Sequence, residues 1–321
     1  DHVQMGKEFS VVKNPHFWNA SQVKLDRITL AVMDDNTALK IFQKGGVEWV
    51  GSPMSFIPPD AIATLKMDGK LVFAPAAATT WLVINTEKPP FDQVKMRKAF
   101  NLAIDRQGLV DYVIKGSHTP ATGIVPLSLL PRARPYFEDN DVPAAWTNFQ
   151  NALKEAELSK DDMPAISFCY SATDRNHKIA QTVQQQWIKA FGIEVRLEPC
   201  ESHVYFDRMR QKNYQIGIGS WVGDIKDPIN FLEVFKSKEN GTNMTRWESA
   251  DFRELLSASM KVRDRVERLT LLGKAEHLLM ENVPVLPLFH VSFNYVKKSD
   301  VKGVYFSELG YLDFRHAYRG E

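Results

Sequence analysis

The sequence predicts an α/β fold, and three observations carry that expectation. Residues 166–170 form a short apolar run, residues 176–191 put Ile179, Val183, Trp187 and Phe191 on one helical stripe, and residues 193–197 return to strand character. That succession is a β-α-β unit, which implies a parallel strand pair joined by a right-handed crossover. Residues 214–218 alternate Tyr214, Ile216 and Ile218 with Gln215 and Gly217, the two-residue period of a half-buried strand, and the chain then runs into a helix. The 321 residues fit two domains, at a prior of about 150 residues each.

From the N-terminus, strands are expected over residues 7–13 and 25–32, the second with Leu25, Ile28, Leu30 and Val32 apolar. An aromatic turn, Asn14-Pro15-His16-Phe17-Trp18-Asn19, separates them. Asp34 to Thr37 caps a short helix over 38–43, which stops at Gly45-Gly46. A strand at 47–50, a helix at 62–65 and strands at 71–74 and 79–85 follow. Beyond Pro89-Pro90 the texture changes, and one long helix is predicted over 94–114 with Met96, Phe100, Ala103 and Ile104 on one face. Residues 116–143 are rich in Pro and Gly without periodicity, and loops of that length tend to be functional or to wrap a surface. Helices are expected at 146–156, 204–211, 249–261 and 266–280, with a last strand at 285–296. No internal repeat or low-complexity tract interrupts this order.

The strongest functional candidate is the stretch from Gly217 to Phe235. Asp227-Pro228 sets a capping carboxylate before a proline at the first helical position. Between strand and helix lie Trp221, Gly223 and Asp224, one aromatic face and one carboxylate on a short loop. Asp227 accounts for the helix start, so Asp224 is free for another task; a solvated loop acid is the ordinary alternative.

Composition excludes several function classes. Charged residues make up 25%, hydrophobic ones 44%, and the formal net charge is +1 with no block of like charges. That argues against nucleic acid or an acidic membrane surface as the main partner. The longest apolar stretch, residues 283–291, is broken by Pro284, Pro287 and His290 and is too short to span a bilayer. The chain opens at Asp1-His2-Val3 inside what reads as a strand, with no signal peptide in view. The expectation is a cytosolic protein or one whose beginning lies upstream. Cys169 and Cys200, in or at the end of predicted strands, are expected as two free thiols. No zinc-protease, Cys-x-x-Cys, phosphate-loop or nucleophile-elbow motif is present. The eight histidines are scattered without ligand spacing, so no metal or cofactor is expected. Aromatic faces and single polar groups on loops suit recognition better than turnover.

Four separated stretches resemble, in order, the family 5 extracellular solute-binding proteins, the oligopeptide, dipeptide and nickel-complex receptors of bacterial ABC importers. They are residues 11–18 with 23–28; residues 85–106, which carry Asn85, Pro89-Pro90, Arg97, Asn101 and Asp105-Arg106; Trp221 to Asp224 with Asp227-Pro228 and Phe231-Leu232; and Lys274-Ala275-Glu276 with residues 284–288. The resemblance covers essentially the whole chain. It implies a two-lobed α/β fold of the periplasmic-binding-protein type II kind that buries ligand between closing lobes. It also implies that the opening part of the first lobe and an extra domain lie upstream. Residues 1–86 with 289–321 are then remnants of the first lobe, and residues 87–288 are the second.

The function so implied is not enzymatic. It is capture of a short peptide for import, with a membrane permease as partner and a periplasmic or cell-envelope location. The acid of the Trp-x-x-Asp loop receives the peptide's α-amino group in oligopeptide-binding members, and Asp224 occupies that place. Trp221 is similarly placed to line the cleft, and Trp81 precedes the crossing into the second lobe, where an aromatic often faces ligand. Some members carry an arginine three residues before the loop tryptophan; Ile218 stands there in this sequence. Arg208 and Arg210 on the preceding helix are the nearest substitutes, as ligand contacts or as solvated helix charges. A nickel chelate, haem or murein peptide on the same fold is the alternative ligand, with His118 and His203 as candidate contacts. Sheet edges left open by an absent first-lobe part would favour self-association.

Overall fold

The computed structural model describes residues 2–4 and 6–320. The chain divides into two compact units, Asp1–Ala76 with Ser292–Glu321, and Ala77–Val291.

In the smaller unit, β1 (His2–Gln4), β2 (Glu8–Val12) and β3 (Arg27–Ala31) form an antiparallel sheet with Phe9 opposite Leu30. Helix α1 (Asp35–Gln43) begins at the expected cap: the Asp34 carboxylate accepts from Thr37 N at 2.9 Å, satisfying one of the amides that a helix start leaves without a partner. After β4 (Trp49–Gly51) and α2 (Pro59–Met67), the chain enters β5 (Leu71–Ile84). Leu39, Val50, Ile62, Leu65 and Val296 bury together, and Trp49 lies flat on Tyr295 with ring centroids 4.2 Å apart.

β5 is one strand where the sequence suggests two. Pro75 causes the difference: it is exposed, so its missing N–H costs the ladder nothing that water does not supply. The strand runs on from the smaller unit into the larger, and residues 285–297 make the return passage.

The larger unit is a three-layer α/β body. Its helices and strands are α3 (Val94–Leu102), α4 (Arg106–Gly108), β6 (Thr119–Pro120), α5 (Val142–Glu155), β7 (Ile166–Ser171), α6 (Asp174–Phe191), β8 (Val195–Cys200), α7 (Ser202–Arg210), β9 (Ile216–Val222), α8 (Ile229–Leu232), α9 (Ala250–Ser259), α10 (Arg265–Asn282) and β10 (Val285–Lys297). Sheet order is β10-β5-β9-β7-β8, with β6 on the other side of β10. β7 is parallel to both β8 and β9, and β5 is antiparallel to β9. The expected β-α-β unit is therefore β7-α6-β8. Alternation along β5 serves both faces. Leu82 and Ile84 join Phe100, Phe149 and Trp187 under α3, α5 and α6; Trp81 and Val83 join Phe231, Leu256 and Leu279 under α7 to α10. Each of these large apolar side chains contributes roughly 1.5–3 kcal/mol by leaving water. Among the described residues no helix is long and apolar enough to cross a membrane.

The single long helix expected over 94–114 is broken. α3 stops at Leu102, Asp105 Oδ1 accepts from Gly108 N at 2.8 Å to start α4, and residues Leu109–Ile114 form a wider π turn. The cause is Asp105, whose side chain offers the backbone a local partner in competition with the helical one. The break turns Arg106 fully inward. Its guanidinium donates to the carbonyls of Pro287, Asn101 and Ile104 and to Asn101 Oδ1, and pairs with Asp139 at 3.0 Å. Burial lowers its pKa to about 10 despite Asp139. Arg97 similarly donates to the carbonyls of Phe91 and Asn282, at 2.6 and 2.9 Å.

The long loop is ordered by one buried acid. Glu276 on α10 is fully buried and accepts from Val125 N at 2.8 Å, Arg132 Nη1 at 3.0 Å and Tyr136 OH at 2.9 Å. Burial raises its pKa, and Arg132 with these donors works in the opposite sense.

Candidate functional site

Because β7, β8 and β9 are parallel, their carboxyl ends share one edge of the sheet, and each leads into the N-terminus of a helix. Open α/β sheets bind ligands at that kind of edge. The loop carrying Asp224 leaves β9 there.

Local packing explains the glycines before it. A Cβ on Gly217 would stand 2.9 Å from the end of Met209, and one on Gly219 would stand 2.7 Å from Val83 and 2.8 Å from the Trp81 indole. Both positions are empty so that core side chains can cross the strand. Gly223 N then donates to Ala77 O at 2.8 Å, which ties the loop to β5.

Asn230, in the first turn of α8, organises the loop. Its Oδ1 accepts from Trp221 Nε1 at 3.0 Å and from Asp224 N at 2.9 Å, and its Nδ2 reaches Asp224 Oδ2 at 3.4 Å. The Asp224 carboxylate is exposed, and among the described residues Nδ2 of Asn230 is its one side-chain donor. Asp227 behaves differently. It accepts from Ile229 N at 2.9 Å and takes a two-pronged bond from Arg268 at 2.8 and 2.9 Å. Burial opposes its charge, but Arg268 and the Ile229 amide outweigh that and hold its pKa below the ordinary carboxylate value. Two acids three residues apart are thus one neutralised and structural, the other open to solvent.

Trp221 is half-buried and stands beside Asp224 through their shared partner. Trp81 is on the same face of the sheet but only 4% exposed, packed against Phe235 at 6.0 Å. Arg208 and Arg210 are not brought to this loop. Arg208 binds Glu198 on the edge strand at 2.6 Å, and Arg210 pairs with Asp207 on its own helix. Burial works against the Arg208 charge, yet the bonds to Glu198 and to the Cys200 sulfur raise its pKa overall. His118 is half-buried and packs against Phe289, and loss of hydration there, with the charge of Arg175 adding, lowers its pKa to about 3. His203 faces Asp207 at 3.1 Å. Among the described residues no group of three His, Cys, Asp or Glu side chains is arranged to hold a metal.

Sequence reasoning missed Asn230 and Arg268. Asn230 had a legible signal, a polar residue two places after Pro228 on a turn otherwise apolar at Ile229, Phe231 and Leu232. Arg268 lies 41 positions from Asp227 and had none. A cavity of about 580 Å³, lined in part by Ile166, Ser167, Ile193 and Glu194, lies at the amino ends of β7 and β8, the opposite edge from Asp224.

Comparison with known proteins identifies the family and the fold. The family described as "Bacterial extracellular solute-binding proteins, family 5 Middle" matches residues 1–243. The Bacillus subtilis oligopeptide-binding protein OppA is 40% identical over 311 residues, which is 95% of this chain and 57% of that protein. The Bacillus subtilis dipeptide-binding protein DppE is 27% identical over 313 residues, 95% of this chain and 56% of its own. Among solved structures, a periplasmic oligopeptide-binding protein from Borrelia burgdorferi superposes with a TM-score of 0.87 at 26% identity, covering 98% of this chain and 62% of that one. The chain thus spans a little over half the length of these relatives and shares their mixed α/β fold throughout. With its first 243 residues matched by the family and the fold agreeing over nearly all of it, the chain belongs to the family 5 bacterial extracellular solute-binding proteins.

Proposed function

We propose that this chain is part of the substrate-binding component of an ABC importer, capturing short peptides, and that Asp224 receives the peptide's α-amino group. The observation that carries this reading is the state of Asp224: an exposed carboxylate without a cationic partner among the described residues, held in place through Asn230 at the carboxyl edge of parallel strands. A fixed carboxylate beside a half-buried indole suits a primary ammonium flanked by an apolar side chain, and such a charge-assisted bond contributes about 1.5–3 kcal/mol once shielded. Relatives named for oligopeptide and dipeptide binding support the ligand class. On the same reading, the unit Ala77–Val291 is the second lobe and the remaining residues belong to the first. The partner is a membrane permease and the location extracytoplasmic. Of the candidate contacts besides Asp224, Trp221 is assigned to ligand, Trp81 to packing, and Arg208 and Arg210 to ion pairing.

Isothermal titration with a tripeptide and its N-acetylated form tests the assignment. The free-amine peptide should bind at least tenfold more tightly, about 1.4 kcal/mol, and Asp224→Ala should abolish the difference while the melting temperature holds. Equal binding of both forms by the unaltered protein would show that Asp224 has another task.

A further inference from the structure

Cys169 and Cys200 stand on neighbouring parallel strands, β7 and β8, with Cys169 opposite Glu198 and Cys200 opposite Ser171. The thiols are therefore diagonal neighbours on the face covered by α7, where both pack with Tyr205 and Met209. Their sulfurs are 3.6 Å apart. Nothing in the peptide-binding reading uses them. We infer that these two residues form a reversible intrachain dithiol–disulfide pair, oxidised by small-molecule or protein disulfides.

Their environments differ in a way that orders the chemistry. Cys169 is fully buried, whereas Cys200 is partly exposed and closes β8. The Arg208 guanidinium lies 3.4 Å from the Cys200 sulfur, a cation beside the group that must become negative to attack. Burial, together with the hydrogen bond to Cys200, raises the pKa of the Cys169 thiol to about 12. Cys200 is thus the entry thiol. Its thiolate attacks an oxidant RSSR, forms a mixed disulfide and expels one thiolate, RS⁻. The Cys169 sulfur then attacks the Cys200 sulfur and expels the second RS⁻, which takes up the Cys169 proton and leaves as RSH. One RSSR is reduced to two RSH and two protein thiols become one bond. A disulfide needs sulfurs at about 2.05 Å, so they must close by roughly 1.5 Å. Diagonal neighbours on adjacent strands sit wider than the usual disulfide span, so closure also needs the backbone to shift at the end of β8, where Glu201 alone separates the strand from α7. The bond would clasp α6 between the strands it connects, a separation of 31 positions, and a closed loop of that kind restricts the unfolded chain.

Purified chain, freed of reductant, is exposed to glutathione disulfide over a series of glutathione ratios and followed by intact mass and peptide mapping. The expected product is monomeric, lighter by two hydrogens, with a peptide linking residues 169 and 200 and a higher melting temperature. Cys169→Ser should stop at one glutathione on Cys200, and Cys200→Ser should resist oxidation while folded. Stable glutathione on Cys200 of the unaltered chain, linkage between chains, or no reaction before unfolding would each overturn the inference. The unaltered chain decides the matter even if a variant fails to fold.

Discussion

Asn230→Ala isolates what holds the Asp224 loop. The side chain makes two well-formed bonds, to Trp221 Nε1 at 3.0 Å and to Asp224 N at 2.9 Å, and a long third to Asp224 Oδ2 at 3.4 Å. Neutral bonds of this type contribute a net 0.5–1.5 kcal/mol each, and water partly replaces them at a half-buried site, so about 1–2 kcal/mol of stability should be lost. The larger effect concerns order. Released from Asn230, the backbone at Asp224 regains freedom, which is about 1–2 kcal/mol per residue, and a ligand that needs Asp224 fixed must supply that again. Peptide affinity should then fall about tenfold. Amide exchange gives the direct measurement. The Asp224 amide should lose protection, while the Gly223 amide, bonded to Ala77 O at 2.8 Å, serves as the internal control. Asn230→Asp keeps both acceptor bonds but sets a second carboxylate where Nδ2 met Asp224, so exchange should stay protected. The reasoning fails if Asn230→Ala leaves Asp224 exchange unchanged and stability within about 0.5 kcal/mol of the parent, the range of an ordinary surface substitution.

Two further outcomes concern the larger unit. Glu276→Ala leaves Arg132, Tyr136 and the Val125 amide without their shared acceptor, so urea denaturation should show a loss of about 3–5 kcal/mol, while replacing Arg132 and Glu276 together with apolar residues should recover only the part due to the unpaired guanidinium. A loss below about 1 kcal/mol would mean water enters and satisfies the loop. His290 Nδ1 bonds Thr79 Oγ1 at 2.8 Å, and burial, with Arg132 adding, lowers its pKa from 6.5 to about 3. The unfolded chain therefore binds a proton below pH 6.5 that the folded chain refuses. Stability from this group is whole above that pH and falls by about 1.4 kcal/mol per unit towards the folded pKa. His290→Asn should flatten the slope of unfolding free energy between about pH 6.5 and 5 by close to one proton; an unchanged slope would place the acid sensitivity elsewhere.

Short-range chemistry was legible in the residues themselves. The Asp34 cap, the separate elements β7, α6 and β8, and the stripe of Ile179, Val183, Trp187 and Phe191 depend on neighbours within a few positions, where periodicity and side-chain propensity act directly, and the handedness of crossovers then joins β7 to β8. The signature over residues 85–106 was legible as a family mark, but its role was not: Arg97 donates to the carbonyls of Phe91 and Asn282, and Arg106 to the carbonyl and Oδ1 of Asn101, inside the larger unit. Asp227 and Asp224 look alike as letters three apart. Only tertiary packing separates them, because the neutralising Arg268 arrives from α10, and only the turn of α8 lets Asn230 hold both Trp221 and Asp224. Arg208 and Arg210 show the same limit in reverse. Helical spacing put them near the loop in sequence, and their carboxylate partners on β8 and α7 drew them away from it. A charge's role is set by which opposite charge folding brings within a few ångströms, and for Asp227 that partner lies 41 positions away, outside the reach of any local period.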